Sequence, residues 1–119
     1  MVESILDSIK ELLGIGSDDT SFDKELIMHI NGAIMIITQL GVGPPSGYAI
    51  TDKNNTWLEL TLGRTDLEAI KTDIYLRVRL IFDPPQNSFL VNSIKEQIQE
   101  YDWRISVNTT PTPIPDIVA

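Results

Sequence analysis

The chain has 119 residues, which favours a single compact domain. Hydrophobic residues make up 42% and charged residues 22% of the chain, and these ordinary globular proportions exclude a fully disordered or collagen-like protein. The 17 acidic and 9 basic residues give a net charge of −8, without the basic footprint of an autonomous nucleic-acid binder. The absence of cysteine excludes disulfide scaffolds, zinc ribbons and thiol nucleophiles.

The spacing of apolar residues predicts two helices in the first third of the chain. Residues 2–13 carry an apolar stripe at helical spacing, and Gly14 follows as a common helix end. Residues 22–40 form a more broadly apolar helix, and Thr20 with Asp23 resembles a capping box at its start. So much apolar surface is typical of the central helix of a bundle, or of a helix that faces a second subunit.

The middle of the chain is predicted to be a loop followed by a short helix. Residues 41–47 (GVGPPSG) are loop formers, and residues 48–50 (YAI) make a short β-prone element. Thr56 and Glu59 match a second capping box, which opens one or two helical turns that end at Gly63.

Two further helices are predicted in the second half. A third capping box begins at Thr65, and behind it apolar residues recur at helical spacing until residues 83–85 (DPP) stop the helix. Ser88 is predicted to cap a last helix that runs to about Tyr101. Residues 103–107 (WRISV) alternate as in a short strand. The remainder has three prolines at alternate positions and is predicted to be extended, either disordered or laid against a partner.

These elements predict a mainly α fold: a small bundle of about four helices with a short β element and an extended C-terminal tail. We expect one helical domain over residues 1–108 and a Pro-rich tail over residues 109–119. The longest apolar run, residues 33–37, is far shorter than the roughly 20 residues of a membrane helix, and the N-terminus lacks the basic start of a signal peptide. We therefore expect a protein that is intracellular at synthesis and has no membrane partner.

His29 is the only histidine, so a multi-histidine metal site or a His-paired catalytic triad cannot be built within one chain. Glu25 lies one helical turn earlier and could orient a general base, but no serine or second acid is evidently placed to complete a mechanism. A histidine on the helix surface or at an interface is the favoured interpretation. We expect no enzyme activity, no cofactor and no metal.

Two other patterns have simpler interpretations than ligand binding. The acidic cluster of Asp18, Asp19 and Asp23 lacks the spacing of a calcium loop, so capping and solubility explain it better. The GVGPPSG loop follows a helix and lacks the lysine of a phosphate loop.

The basic and aromatic residues also favour structural roles. One mildly basic stretch favours pairing on a solvated helix face over a contact with DNA or a partner; its cations are Arg64, Lys71, Arg77 and Arg79. Trp57 and Trp103 are expected to be packing anchors rather than base-stacking platforms.

Several segments resemble a known family. They are FDKELIMHINGAIMIITQLGVGP (residues 22–44), TW (56–57), DLEAIKTDIYLRVRLIFDPP (66–85) and EYDWRISV (100–107). In this order they resemble the head–tail connector proteins (adaptor or head-completion proteins) of tailed bacteriophages of Gram-positive hosts. The resemblance covers the chain from about residue 5 to residue 107, and the FDPP and WR segments are its most specific parts.

The resemblance implies a structural virion protein that forms a ring, commonly a dodecamer, beneath the portal. Such a ring extends the DNA channel, lets DNA pass without specific binding, and offers a docking platform for a stopper or tail-completion protein. It also implies a portal-facing C-terminal segment, for which the candidates are Trp103, Arg104, Ile105, Val107, Pro113 and Ile114. The loop of Val42, Pro44, Pro45, Tyr48, Ile50 and Lys53 is the candidate subunit–subunit or channel element. The expected location is the head–tail junction of the virion, after a period in the host cytoplasm.

A second interpretation remains open: a small acidic phage protein that binds a host enzyme as a DNA mimic or inhibitor. The net charge of −8 permits it. Mimicry usually requires long surface rows of carboxylates, whereas 7 of the 17 acidic residues are concentrated in residues 1–25. The connector function is therefore favoured.

Overall fold

The computed structural model describes residues 3–109, and over that range the chain is mainly α-helical. Its elements are α1 (Ile5–Leu13), α2 (Asp23–Gln39), α3 (Trp57–Thr61), α4 (Leu67–Phe82) and α5 (Ser88–Thr109). Helix α4 is central: it packs extensively against α2 and α5, and α1 packs against both α2 and α4. The predicted bundle of about four helices is confirmed, with α3 as an additional short helix.

The predicted β elements are wrong, because the described residues contain no strand. Residues 48–50 run without a strand partner. The Asn31 side chain of α2 instead satisfies the backbone of Ile50: its Oδ1 accepts from the Ile50 N–H at 2.7 Å, and its Nδ2 donates to the Ile50 carbonyl at 3.0 Å. The one β-bridge found within residues 3–109 is isolated and joins Ser4 to Thr56.

Residues 103–107 belong to α5, which continues to Thr109 rather than ending near Tyr101. Ile105 lies four residues after Tyr101 and seven after Ile98, so it continues the helical stripe that packs against the rest of the protein. Its side chain is fully buried. The strand prediction failed because an alternation over only five residues does not exclude a helix. Here the middle residue, Ile105, lies on the buried face of that helix.

The helix caps were predicted with mixed success. Thr56 and Glu59 form a complete capping box, in which the Thr56 hydroxyl accepts from the Glu59 N–H and the Glu59 carboxylate accepts from the Thr56 N–H, each at 3.2 Å. The boxes predicted at Thr20 and Thr65 are wrong, because α2 and α4 begin without a side-chain cap. At α5 the cap is Asn87 rather than Ser88: Asn87 Oδ1 accepts from the N–H of Phe89 at 2.7 Å.

Trp57 anchors α3 to α1, as expected for a packing tryptophan. Its side chain is 1% exposed, and its indole N–H donates to the Ser8 hydroxyl at 3.0 Å. The backbone N–H of Trp57 donates to the Glu3 carbonyl, and the N–H of Ile5 donates to the Asn55 carbonyl. These bonds hold the segment before α3 against the start of α1. Helices α1 and α3 are therefore packed together as one unit.

A buried charge cluster holds α5 against α4. Asp73 of α4 is fully buried, and its Oδ1 accepts from Arg77 Nε at 2.7 Å. The same guanidinium donates through Nη2 to Asp102 of α5. Asp73 Oδ2 and Asp102 Oδ1 are also buried and have no hydrogen-bond partner among the described residues. One partly buried cation therefore faces two carboxyl groups, and the carboxyl group of Asp73 is shielded from water, an arrangement that favours retention of a proton on Asp73.

The pKa of Asp73 is raised well above its usual value. Burial is the main cause, and the neighbouring Asp102 carboxyl adds to it, while Arg77 opposes the shift. The folded protein therefore binds a proton at this position more tightly than the unfolded chain does. By linkage, the cluster stabilises the fold most at low pH, and this contribution is lost as the pH rises through the raised pKa.

We predict that replacing Asp73→Asn reduces the loss of stability between pH 5 and pH 8, because the amide keeps the side-chain shape but cannot ionise. While Asp73 titrates, the parent protein should lose up to about 1.4 kcal/mol of unfolding free energy per pH unit relative to this variant. Urea denaturation at both pH values measures the difference. Asp18→Asn, at an exposed position outside the cluster, is the control; equal slopes for all three proteins would contradict the prediction.

Candidate partner-binding surfaces

Helices α2, α4 and α5 enclose an open, largely apolar groove of about 600 Å³. Helix α4 forms its floor, because it packs against both other helices, and α2 and α5 form the two walls. The residues that line the groove are Met28, His29, Gly32, Ala33, Ile36, Arg77, Leu80, Ile81, Lys95, Ile98, Gln99 and Asp102. A groove of this size and composition is a candidate binding site for an apolar side chain or helix.

Large apolar side chains at the groove remain in contact with water. Met28 of α2 is 64% exposed and Ile81 of α4 is 63% exposed, and Met35 continues the outer face of α2. The opposite face of α2 is buried in the core, through residues such as Ile30 and Ile34. The broad apolar surface predicted for α2 is therefore only partly covered within one subunit, and the remainder is typical of a protein–protein contact.

Gly32 is an unusual residue for the middle of α2. A glycine in a helix interior costs about 1 kcal/mol relative to alanine. A Cβ atom added at Gly32 would meet no other atom within 4 Å, so no close packing within the subunit requires this glycine. The position is exposed and lines the groove, where a glycine would allow close approach by another chain.

A second exposed apolar feature lies on α3. Leu58 and Leu62, which we call the leucine pair, are four residues apart and are 54% and 63% exposed. Leu62 adopts a left-handed backbone conformation with φ 55° and is the one non-glycine residue with positive φ among residues 3–109. For an L-residue such as leucine this conformation costs about 1–2 kcal/mol. An exposed apolar side chain in a strained conformation is a feature that packing within the subunit does not explain.

The predicted portal-facing residues divide between two faces of α5. Trp103 is 65% exposed and Val107 is also exposed, so Trp103 is not an anchor of the core, contrary to expectation. Arg104 is exposed and pairs with Glu100 at 2.7 Å. Ile105, in contrast, is fully buried. Pro113 and Ile114 lie outside the described residues.

Ile105 and Arg64 fix the C-terminal part of α5. The Arg64 guanidinium donates from Nη2 to the Ile105 carbonyl at 3.3 Å and forms two hydrogen bonds with Asp66, at 2.8 and 2.7 Å. The hydrogen bonds from Arg64 hold the pKa of Asp66 below its usual value, so this pair stays charged. The exposed Trp103 and Val107 therefore lie on a helix end that is anchored from its other face.

The predicted loop residues likewise do not form one surface. Val42 and Ile50 are buried in the core, whereas Pro45 and Lys53 are exposed. The other two, Pro44 and Tyr48, are half-buried. Only the exposed members can reach a partner directly, and the buried members attach the loop to the helices.

Polar contacts order the loop before α3. Tyr48 donates its hydroxyl hydrogen to Glu59 Oε1 at 2.6 Å, and burial together with this bond raises the pKa of Tyr48 to about 12. The hydrogen bonds from Tyr48 and from the Thr56 N–H lower the pKa of Glu59, so its carboxylate stays ionised. Asn55 Oδ1 accepts from the Thr51 N–H at 2.7 Å. The loop thus presents its exposed residues from a structured turn.

The remaining sequence motifs take structural roles. His29 Nε2 lies 3.4 Å from Glu25 Oε2 on the groove wall, and its side chain is only 14% exposed, so it is more buried than a histidine on the helix surface. In the acidic cluster, Asp23 pairs with the buried ammonium of Lys10 at 3.0 Å, and Asp19 accepts from the Ser21 N–H. The sequence analysis missed Lys10, whose Nζ also donates to the Ser17 carbonyl and so holds the turn between α1 and α2.

The basic stretch is largely neutralised by pairing. Lys71 lies 2.9 Å from Glu3 and above the ring of Trp57. Arg77 pairs with Asp73 four residues earlier, but Asp73 is fully buried, so this pair does not lie on the solvated helix face that was expected. In the part of the chain that the structure describes, no group of three or more His, Asp or Glu side chains could hold a metal ion. No helix in that part is both long and apolar enough to cross a membrane.

The chain matches a known protein family over most of its length. The family model described as phage connector protein matches residues 5–112, which is most of the chain. No match was found among curated proteins or among solved structures. The family match confirms the resemblance carried by the α2, α4 and α5 segments, and the chain therefore belongs to the phage connector protein family.

Proposed function

We propose that the protein is a ring-forming subunit of the head–tail junction, placed beneath the portal of a tailed phage. There it extends the DNA channel and provides the docking platform for a stopper or tail-completion protein. The family match carries this proposal, because connector proteins have a structural role in the virion and are generally not enzymes. That match also favours the connector function over an acidic inhibitor of a host enzyme.

The uncovered apolar surfaces support assembly with neighbouring copies. The groove and the leucine pair each leave large aliphatic side chains in water, at an unfavourable free energy of roughly 1.5–3 kcal/mol for each fully exposed side chain. A ring covers such patches on every subunit by repeating one contact.

The charge of the chain supports passage of DNA without binding. Each subunit carries a net charge of −8, and several of its cations already pair with carboxylates, as Arg77 and Arg64 do. Tight binding to the DNA backbone requires unpaired cations that replace counterions. A ring of such subunits would present few of them, and mutual repulsion would keep free copies apart until the portal gathers them.

We assign the portal contact to the C-terminal end of α5 and to the chain that follows it. Trp103, Arg104 and Val107 are exposed there, and Ile105 anchors the helix from within. Pro113 and Ile114 belong to the segment that continues from this end, so we place them in the same contact. The exposed Pro45 and Lys53 form the proposed loop contact with a neighbouring subunit or with the channel.

The copy number of this chain in the virion tests the proposed function. Quantitative mass spectrometry of purified particles of the parent phage should find about a dozen copies of this chain per particle, comparable with the portal protein, because a ring on the portal follows the portal's symmetry. Abundance in infected cells without incorporation into particles would contradict the proposal and leave the host-directed inhibitor as the better interpretation.

A substitution at Trp103 tests the proposed portal contact. Replacing Trp103→Ala should weaken binding to isolated portal rings about tenfold or more, because exposed tryptophans commonly dominate interface energies. Thermal unfolding should be nearly unchanged, since the side chain is 65% exposed. Phe89→Ala is the matched control, because Phe89 is 76% exposed at the opposite end of α5. Equal portal binding by both variants would place the portal contact elsewhere.

A further inference from the structure

The groove and the start of α3 lie on different sides of α4. Arg77 forms part of the groove floor, whereas Glu68 lies nine residues earlier, two and a half helical turns away, and faces α1. Lys71 lies six residues before Arg77, about 120° from it around α4, and is 5.9 Å from the ring centroid of Trp57, at the start of α3. Helix α3 therefore begins on a side of α4 different from the one that lines the groove.

This placement is compatible with the geometry of a ring. Each subunit of a ring of many copies meets its two neighbours on nearly opposite sides, and a head-to-tail contact joins two unlike patches. The subunit carries one concave apolar patch, the groove, and a separate pair of exposed apolar side chains, the leucine pair. Exposed leucine side chains are typical anchors of a segment that docks in an apolar groove.

Both patches contain a residue that the isolated subunit does not require. Gly32 leaves open space on the groove wall, where a second chain could approach the backbone of α2 closely. Leu62 holds an exposed apolar side chain in a left-handed conformation that glycine would adopt more easily. A partner that packs against both positions accounts for the two unfavourable choices together.

Charge complementarity favours a second copy of this chain as the partner. Lys95 on the groove rim forms no ion pair within residues 3–109, whereas Arg77 and Asp102 of the groove pair with each other. Glu59 lies between Leu58 and Leu62 in α3, is exposed, and stays ionised. A neighbouring α3 therefore brings a carboxylate together with its two leucines.

We infer that adjacent copies join head to tail, with the leucine pair of one subunit docked in the groove of the next and Glu59 directed toward Lys95. This inference rests on the ring-forming function proposed above and specifies its subunit contact. The contact leaves the C-terminal end of α5 available for the portal.

Site-specific cross-linking tests the contact, and the cysteine-free chain suits it well. The full chain with Gly32→Cys and Leu62→Cys is mixed with portal rings of the parent phage and treated with a flexible bismaleimide. Ring formation is checked separately by electron microscopy. We expect a ladder of covalent oligomers on denaturing gels, because each copy links to two neighbours. The control pairs Gly32→Cys with Leu12→Cys, since Leu12 is similarly exposed on α1 but lies outside both patches.

The outcomes separate the contact from the function. A ladder from the first pair and none from the control supports the inference. Rings on the portal without a ladder from the first pair would overturn the inference and leave the connector function standing. Failure of the unmodified chain to form rings on the portal would overturn the proposed function, and the inference with it.

Two single substitutions provide an independent test, because neither is expected to unfold the subunit. Gly32→Leu adds an apolar side chain to the groove at a position where an added Cβ meets no other atom within 4 Å, and Leu62→Gly removes an exposed side chain from a left-handed position. Each should reduce ring formation about tenfold or more while the thermal unfolding temperature stays equal or rises. Glu68→Leu, which adds an apolar side chain at an exposed site outside both patches, is the control. Normal assembly by both variants would overturn the inference.

Discussion

The structure depends on how α4 is held between α2 and α5. One face of α4 packs into the main core, and the Asp73–Arg77–Asp102 cluster fixes α5 against another. Burial raises the pKa of Asp73, which favours the protonated form of this carboxyl group in the cluster, where one guanidinium faces two carboxyl groups. With both neighbours attached to α4 instead of to each other, a groove remains open between them. The packing of α2 and α5 on α4 therefore determines both the central core and the open groove.

Much of the helical fold could be predicted from the sequence, because long apolar stripes and the Thr56–Glu59 box are local signals. The strand predicted at residues 103–107 was wrong because a short alternation does not reveal which side will be buried. Only the packing of Ile105 on the rest of the core decides that question. The β element at residues 48–50 failed for a similar reason, since a distant side chain, Asn31, provides its hydrogen bonds. Local patterns cannot show partners that are remote in the chain.

The family could be recognised from segments of the sequence, but its individual contact residues could not all be placed. Val42, Ile50 and Ile105 were candidate contacts, yet their side chains are buried and support exposed neighbours instead. The groove was missed because it requires three helices to come together. Met28 and Gly32, four residues apart on the same face of α2, were its available signal. Asp73 gave no such warning, since an acidic residue within an amphipathic helix is ordinarily exposed.

The central claim is that copies of this chain form a ring beneath the portal. Cryo-electron microscopy of the head–tail junction of intact particles tests it most directly. The account predicts a ring of this helical subunit around the DNA, with the C-terminal end of α5 toward the portal and α3 of each copy in the groove of its neighbour. A junction whose density contains no such ring, or contains this chain only as single copies outside the channel, would contradict the account.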